Sequence, residues 1–307
     1  MDHLPEGIIG RGDAIARGFT DRELRAARTH GELVCLRRGH YLRAADHREL
    51  DEIGRHRVLA RATWESSTNT VVSHVSAAAF HGVDLWNVPL DTVHLTVDRR
   101  GGGRRHPTRH VHATPIRENE IVHIDGVAVT SIERTIVDLA RTLPFEEATV
   151  IGDSALRLEL TDRSRIQDTL KHARSRTGVH RAARTLQFLD GLSESVGESR
   201  SRVALDRMGY PAPRLQVPIV GTDSHVVARV DFLWEEEHVI GEFDGMAKYS
   251  MSPGISEQEA FRREKLREDE LRALGFIVAR WTWGHLATPD TIRTRLGYAF
   301  AAARGSA

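Results

Sequence analysis

The sequence predicts a multidomain α/β protein in three parts: a winged helix-turn-helix over residues 1–54, a mixed α/β domain over 55–190, and an α/β domain with a mixed central sheet over 191–307. Three observations predict it. The chain has 307 residues, more than one ordinary domain needs. It opens with a helix, a turn, a second helix and a basic hairpin. Its last third reads helix, three antiparallel strands, helix, strand, helix, and a strand–helix–strand passage in one sheet implies a right-handed parallel crossover.

Composition narrows the function classes. Forty-three basic residues balance forty-three acidic ones, which excludes a polybasic tail protein and an acidic disordered one. Only Lys171, Lys248 and Lys265 are lysines; every other base is arginine. The single cysteine, Cys35, excludes a disulfide framework and a cysteine-type zinc site. No apolar run approaches a membrane span, and the opening MDHLPEG has no apolar signal core, so the expectation is a cytoplasmic protein without a membrane partner. The zero balance hides three basic islands, at 11–43, 99–117 and 171–184, ahead of a slightly acidic last third.

In the first part, Ile8–Ala16 reads as a short helix closed by Gly18. Thr20 and Glu23 form a capping box, and the helix they open runs to about His30, with Gly31 at its end. Leu33–Leu36 and His40–Leu42 read as strands joined through Arg37-Arg38-Gly39. The second helix then presents Arg22, Arg25 and Arg28, and the wing presents Arg37 and Arg38, so cations approach phosphates from two directions. These five arginines are the candidate nucleic-acid contacts.

The middle part mixes both periods. Val71–Ala79 is small and apolar and reaches His81-Gly82. Thr92–Val97 alternates as a strand, with Val93, Leu95 and Val97 on one side. Gly101-Gly102-Gly103 opens a basic loop, Arg99–Arg109, that either grips phosphate or is solvated. A strand starts at Val111, and Val127–Val129 is another. Thr130-Ser-Ile-Glu133 reads as a second capping box, whose helix places Arg134 and Asp138 four residues apart, in pairing reach. Ala148–Leu158 reads as a buried helix. His74, His81 and the His110-Val111-His112 pair invite a metal site, but no carboxylate or cysteine stands nearby at ligand spacing, so they read as core or loop histidines.

The last part carries the sharpest chemistry. Val196–Met208 is a helix with Glu198 in its first turn and Gly209 past its end. Leu215–Val220, Val226–Trp234 and Val239–Asp244 are strands. With Glu236 and Glu237 at the hairpin tip, paired residues have numbers summing to 473, so Asp231 stands opposite Glu242, and Asp244 follows on the same face. Leu233 and Ile240 on that face are apolar. Carboxylates gathered this way call for a cation, and a hard divalent ion with oxygen ligands supplies it: Mg2+, or Mn2+ in its place. Lys248 lies four residues past Asp244. A helix opened by a third capping box, Ser256 to Glu259, runs to Leu274; Phe276–Trp281 is a strand, and a final helix spans about Pro289–Ala303.

Glu198, Val-Asp-Phe at 230–232, Glu-Phe-Asp-Gly at 242–245, Leu-Arg-Ala-Leu-Gly at 271–275 and Arg280-Trp281 together resemble the PD-(D/E)xK nuclease superfamily. More narrowly, they resemble domain of unknown function family 559, related to very-short-patch-repair endonucleases. The resemblance covers about 191–288. It implies a restriction-endonuclease-like domain that hydrolyses DNA phosphodiesters, with Asp231 and Glu242 on magnesium, Glu198 completing the site, and Asp244 and Lys248 among the catalytic residues. It also implies action as a homodimer. The superfamily lysine belongs two residues after the strand acid; Asp244 stands there, and Lys248 is the substitute at hand. Thr20–Tyr41, Ser73–Gly82 and Thr130–Ala140 resemble AbiEi-type antitoxins of bacterial abortive-infection systems, over roughly 1–160. That resemblance implies operator DNA and a cognate toxin or defence-system partner. A metal-dependent endonuclease and a non-catalytic transcriptional regulator or antitoxin are therefore the two functions weighed.

Overall fold

The computed structural model describes residues 7–221, 225–245 and 257–305. Among the described residues it is mixed α/β, with three sheets. The chain divides into two compact units, one of residues 1–151 with 160–187 and the other of 152–159 with 188–307. The segments expected as first and middle parts thus lie mostly in one unit.

The first unit opens with β1 (Ile9–Gly10), α1 (Arg11–Ala16), α2 (Asp21–Thr29), β2 (Leu33–Arg37) and β3 (His40–Arg43). The expected helix over Ile8–Ala16 is shorter than its pattern suggested. Ile9 and Gly10 instead pair with Tyr41 and His40, making a three-stranded sheet in the order β1-β3-β2. The strand is preferred because it buries Ile9 with Ala14, Leu24, Ala27, Leu33 and Tyr41. α2 is capped as expected: the Thr20 hydroxyl accepts from Glu23 N–H and the Glu23 carboxylate accepts from Thr20 N–H.

α3 (Ala44–Glu49) and α4 (Glu52–Glu65) lead to a six-stranded sheet. Its strands are β4 (Thr70–Val72), β5 (Val93–Val97), β6 (Arg104–His106), β7 (Arg109–Ala113), β8 (Ile121–Ile124) and β9 (Val127–Thr130), in the order β6-β7-β5-β4-β9-β8. The basic stretch expected as a loop contains β6, which is fully exposed and hairpins onto β7. α5 (His74–His81) ends at Gly82 in the left-handed region. α5 packs with α4 and the sheet around Ala60, Val72, Ala77, Val93, Leu95, Val127 and Val129.

α6 (Ile132–Thr142) is capped one residue later than its sequence suggests. Ser131, not Thr130, accepts from the Arg134 N–H, because the Thr130 hydroxyl is engaged with Thr135 and Glu133 turns to Thr161 and Arg165. The expected Arg134–Asp138 pair forms at 2.6 Å with both side chains buried. α7 (Phe145–Arg157), α8 (Arg163–His172) and α9 (Val179–Phe188) follow.

The second unit carries α10 (Val196–Met208), β10 (Arg214–Val220), β11 (Val226–Trp234), β12 (Val239–Asp244), α11 (Glu257–Ala273), β13 (Ile277–Thr282), α12 (Trp283–Ala287) and α13 (Pro289–Gly305). The sheet order is β10-β11-β12-β13, antiparallel up to β12 and parallel between β12 and β13. The expected parallel pairing of the strands flanking α11 is therefore present. Phe232, Trp234, Phe243 and Trp281 fill one core with Leu205, Ile292 and Leu296. Leu233 and Ile240 pack with Leu271 in another. Close approach fixes Gly197: a Cβ there would stand 1.9 Å from the Phe243 ring. The Ser256 cap of α11 and Lys248 lie outside the described residues.

Candidate functional site

The β11–β12 ladder pairs Phe232 with Gly241, Leu233 with Ile240 and Trp234 with Val239, the register expected from the sequence. The ladder stops at Phe232–Gly241. One residue further, Asp231 and Glu242 lie on neighbouring strands where the backbones part. Asp231 takes over the missing contact: its Oδ2 accepts from the Phe243 N–H at 2.8 Å. On the other side, the β10–β11 pairs Leu215–Phe232 and Val217–Val230 bracket Gln216 and Asp231. Gln216 has φ of +52°, a left-handed conformation that a non-glycine residue adopts only under local compulsion. Here the even-numbered side chains of β11 change neighbours, from those of Leu271 (Ala228, Val230) to those of Trp281 (Phe232, Trp234), while Leu233 joins Leu271.

The Gln216 amide explains that distortion. Its Nε2 donates to Glu198 Oε2 at 2.9 Å and lies 3.3 Å from Asp231 Oδ1, so one side chain links both acids. Glu198 is buried in the first turn of α10 and also accepts from the Glu194 N–H and the Ser195 hydroxyl. Ser195 in turn caps α10.

Glu242 is held differently. Arg267 of α11 forms a bidentate pair with it at 2.7 and 3.0 Å, and Arg280 of β13 donates at 2.8 Å. Glu264 closes the cluster, accepting from Arg267 at 2.6 Å and Arg280 at 2.5 Å. Burial pushes the Glu242 carboxyl up, but the two guanidiniums outweigh it and hold the group below the usual carboxylate value. Asp244 is half-buried at the end of β12, beside Thr282 of β13. Among the described residues, these acids do not bring three carboxylate oxygens into a common ligand cluster. Asp231 is engaged by the Phe243 N–H and Gln216, and Glu242 by Arg267 and Arg280.

Sequence reasoning missed Gln216 and Arg267. Neither belongs to a motif, and their roles depend on strand distortion and helix docking. Arg280 stood in a quoted motif but had no role assigned. A weak signal did exist: Glu242 needed a counter-charge, and arginine is this chain's usual base.

In the first unit, Arg22, Arg25, Arg28 and Arg38 are exposed. Arg25 Nε donates to the Asp21 carbonyl at 3.3 Å. Arg37 is half-buried and its Nη1 donates to the Thr63 carbonyl at 3.0 Å, joining the β2–β3 hairpin to α4. Burial pushes its pKa down.

Fold and site thus define a mixed α/β chain with a basic N-terminal helix and, in a separate unit, strand acids held by an amide and two guanidiniums. The uncharacterized proteins MT2308 and Rv2248 of Mycobacterium tuberculosis (strains CDC 1551 / Oshkosh and ATCC 25618 / H37Rv) are each 30% identical to it over 214 residues, covering 66% of this chain and 70% of theirs. The chain belongs to the family of these two proteins. The RV2827C protein of M. tuberculosis, a crystal structure, superposes with a TM-score of 0.40 at 16% identity, over 72% of this chain and 82% of that one. No protein-family model matches the chain. No helix among the described residues is long and apolar enough to cross a membrane.

Proposed function

We propose that the chain is a cytoplasmic DNA-binding protein whose second unit is a restriction-endonuclease-like, divalent-metal-dependent phosphodiesterase. One observation carries this reading: Asp231 and Glu242 follow each other across the β11–β12 register at the point where the strands part, with Glu198 joined to Asp231 through Gln216. The order of helix, antiparallel strands, helix and parallel strand supports it.

The donor chemistry fits magnesium or manganese, since both take hard carboxylate oxygens. Asp231 and Glu242 would hold the ion, and Glu242 would exchange its guanidinium partners to do so. When bound, such an ion polarises a phosphate oxygen and eases ionisation of water. The chain's own groups do the rest. Gln216 fixes the Asp231 and Glu198 carboxylates relative to each other. Arg267 and Arg280, released from Glu242, meet a phosphate as bidentate donors. Arg22, Arg25, Arg28 and Arg38 hold the duplex by its backbone.

A second reading has its own observation. Both Glu242 oxygens are already committed to arginine. In a non-catalytic regulator or antitoxin that clamp is permanent, and the unit serves binding, to DNA or to a cognate toxin. Plasmid cleavage with magnesium, with manganese and with EDTA separates the two. The first reading expects metal-dependent nicking that Asp231→Ala and Glu242→Ala abolish. Activity indifferent to both substitutions removes this site. DNA binding without cleavage in either metal establishes the second reading.

A further inference from the structure

Four histidines of the first unit come together although the sequence keeps them in three places. β5 and β7 run parallel as neighbours, with His94 beside His110 and Thr96 beside His112. α5 brings His74 onto them. The His74 and His112 rings stack at 14°, 3.7 Å apart between centroids, so the His112 ring must turn for both in-plane lone pairs to meet one ion; the His110 and His112 rings lie 3.8 Å apart. His94 Nδ1 and His112 Nε2 are 3.0 Å apart. One ring nitrogen each from His74, His94 and His112 falls within 4.8 Å of the others.

Three features are unusual for a mere packing cluster. His74 is a buried, non-glycine residue with φ of +53°, so the fold accepts backbone strain to aim this ring. Its Nδ1 is 3.0 Å from the Ser73 hydroxyl, which fixes the ring and leaves Nε2 for another partner. His94 is anchored as well: its N–H donates to the Ser76 hydroxyl at 2.9 Å, and its carbonyl accepts from the Ser73 N–H at 3.0 Å. Burial holds His74, His94 and His112 below the ordinary histidine value, and the His94–His112 contact is a ring-to-ring hydrogen bond that an ion would replace.

We propose that His74, His94 and His112 form a zinc-class metal site, with His110 or water in the fourth position. Three neutral imidazoles and one further ligand are an established zinc donor set. Two nitrogens at about 2.0–2.1 Å from one tetrahedral ion stand about 3.3 Å apart, close to the His94–His112 separation. The site lacks a carboxylate ligand; Asp138 favours positive charge at His112, whereas Arg134 and Arg141 oppose it at His74. It lies in the first unit and owes nothing to the Asp231–Glu242 reading.

The test uses the tag-free full chain, stripped with EDTA and dialysed, then offered zinc alone or cobalt alone. One equivalent of zinc is retained, and His94→Gln and His112→Gln each weaken binding by about 100-fold or more. His81→Gln leaves it unchanged, because His81 bonds the Thr130 carbonyl outside the cluster. Cobalt gives the intense visible absorption of a tetrahedral site. No zinc retention by the wild-type chain, or equal retention by the folded His94→Gln and His112→Gln variants, overturns the proposal. If those variants do not fold, the wild-type cobalt spectrum decides: weak octahedral absorption overturns it.

Discussion

Removing the Arg134 side chain tests the polar core of the first unit. The guanidinium is fully buried and donates to Asp138 at 2.6 Å, to Glu120 at 2.7 Å and to the Pro115 carbonyl at 3.2 Å. Arg134→Ala leaves two buried carboxylates without their main partner, but they are not equally exposed to the loss. Asp138 keeps Arg141 at 2.8 Å, while Glu120 keeps the Arg117 N–H at 2.9 Å and a longer-range attraction to Arg176. One orphaned buried charge, not two, is therefore the proper reckoning, and its cost is about 3–5 kcal/mol. That is a third or more of the roughly 5–15 kcal/mol of an ordinary domain. Urea unfolding at pH 7, followed by far-UV circular dichroism, reads it as a lower midpoint of the first unit's transition. Arg134→Ala/Glu120→Gln should recover at least about 1 kcal/mol, because the orphaned charge is gone. A loss below about 1 kcal/mol for Arg134→Ala, or no recovery in the double variant, refutes the reasoning.

Other outcomes follow from the same geometry. Gly197→Ala drives a methyl into Phe243 and should cost about 1–3 kcal/mol, read as a lower thermal midpoint of the second unit. An unchanged midpoint would show that helix α10 can shift freely. Arg25→Ala should lower the salt slope of DNA binding by about 1, whereas Arg37→Ala should reduce stability and leave the slope alone, since Arg37 bonds Thr63; fluorescence anisotropy across a salt series separates them. Stability of the first unit should also fall below about pH 6.5. Burial holds His56 and His81 below the ordinary histidine value, so the unfolded chain takes up protons first as pH drops, and stability present at pH 7 is lost. Urea midpoints of EDTA-treated protein at pH 7 and pH 5 should show this, with a smaller fall in His56→Gln; an equal fall would clear His56 of the effect.

The second unit was largely readable from its sequence. The alternation of Val226–Trp234 and Val239–Asp244 and the glutamates between them fix a hairpin register, and that register is the one observed. First-turn Glu198 and terminal Gly209 bound α10 at the expected residues. What escaped depends on tertiary neighbours. Ile9 has helical surroundings in sequence, but its pairing with Tyr41 buries it better in a strand. Thr130 satisfies the capping pattern, yet Thr135 claims its hydroxyl. The hairpin register that carries Asp231 and Glu242 was legible; the guanidiniums that meet Glu242 were not, because α11 is charged all round and its docking face is not written in its period. His94 was overlooked for the same reason. It joins His112 only through a parallel strand pairing, which local pattern does not reveal.

Strand β10 ends the second sheet, with β11 as its neighbour in the described structure. Pro218 sits in it, exposed, beside Arg229. Proline brings no N–H, so a foreign strand arriving at this border would find its ladder broken midway. The border is thereby guarded against accidental fibre growth during synthesis, when many copies share a crowded cell. The guard also narrows the ways two copies can associate: continuous sheet extension through β10 is closed to them.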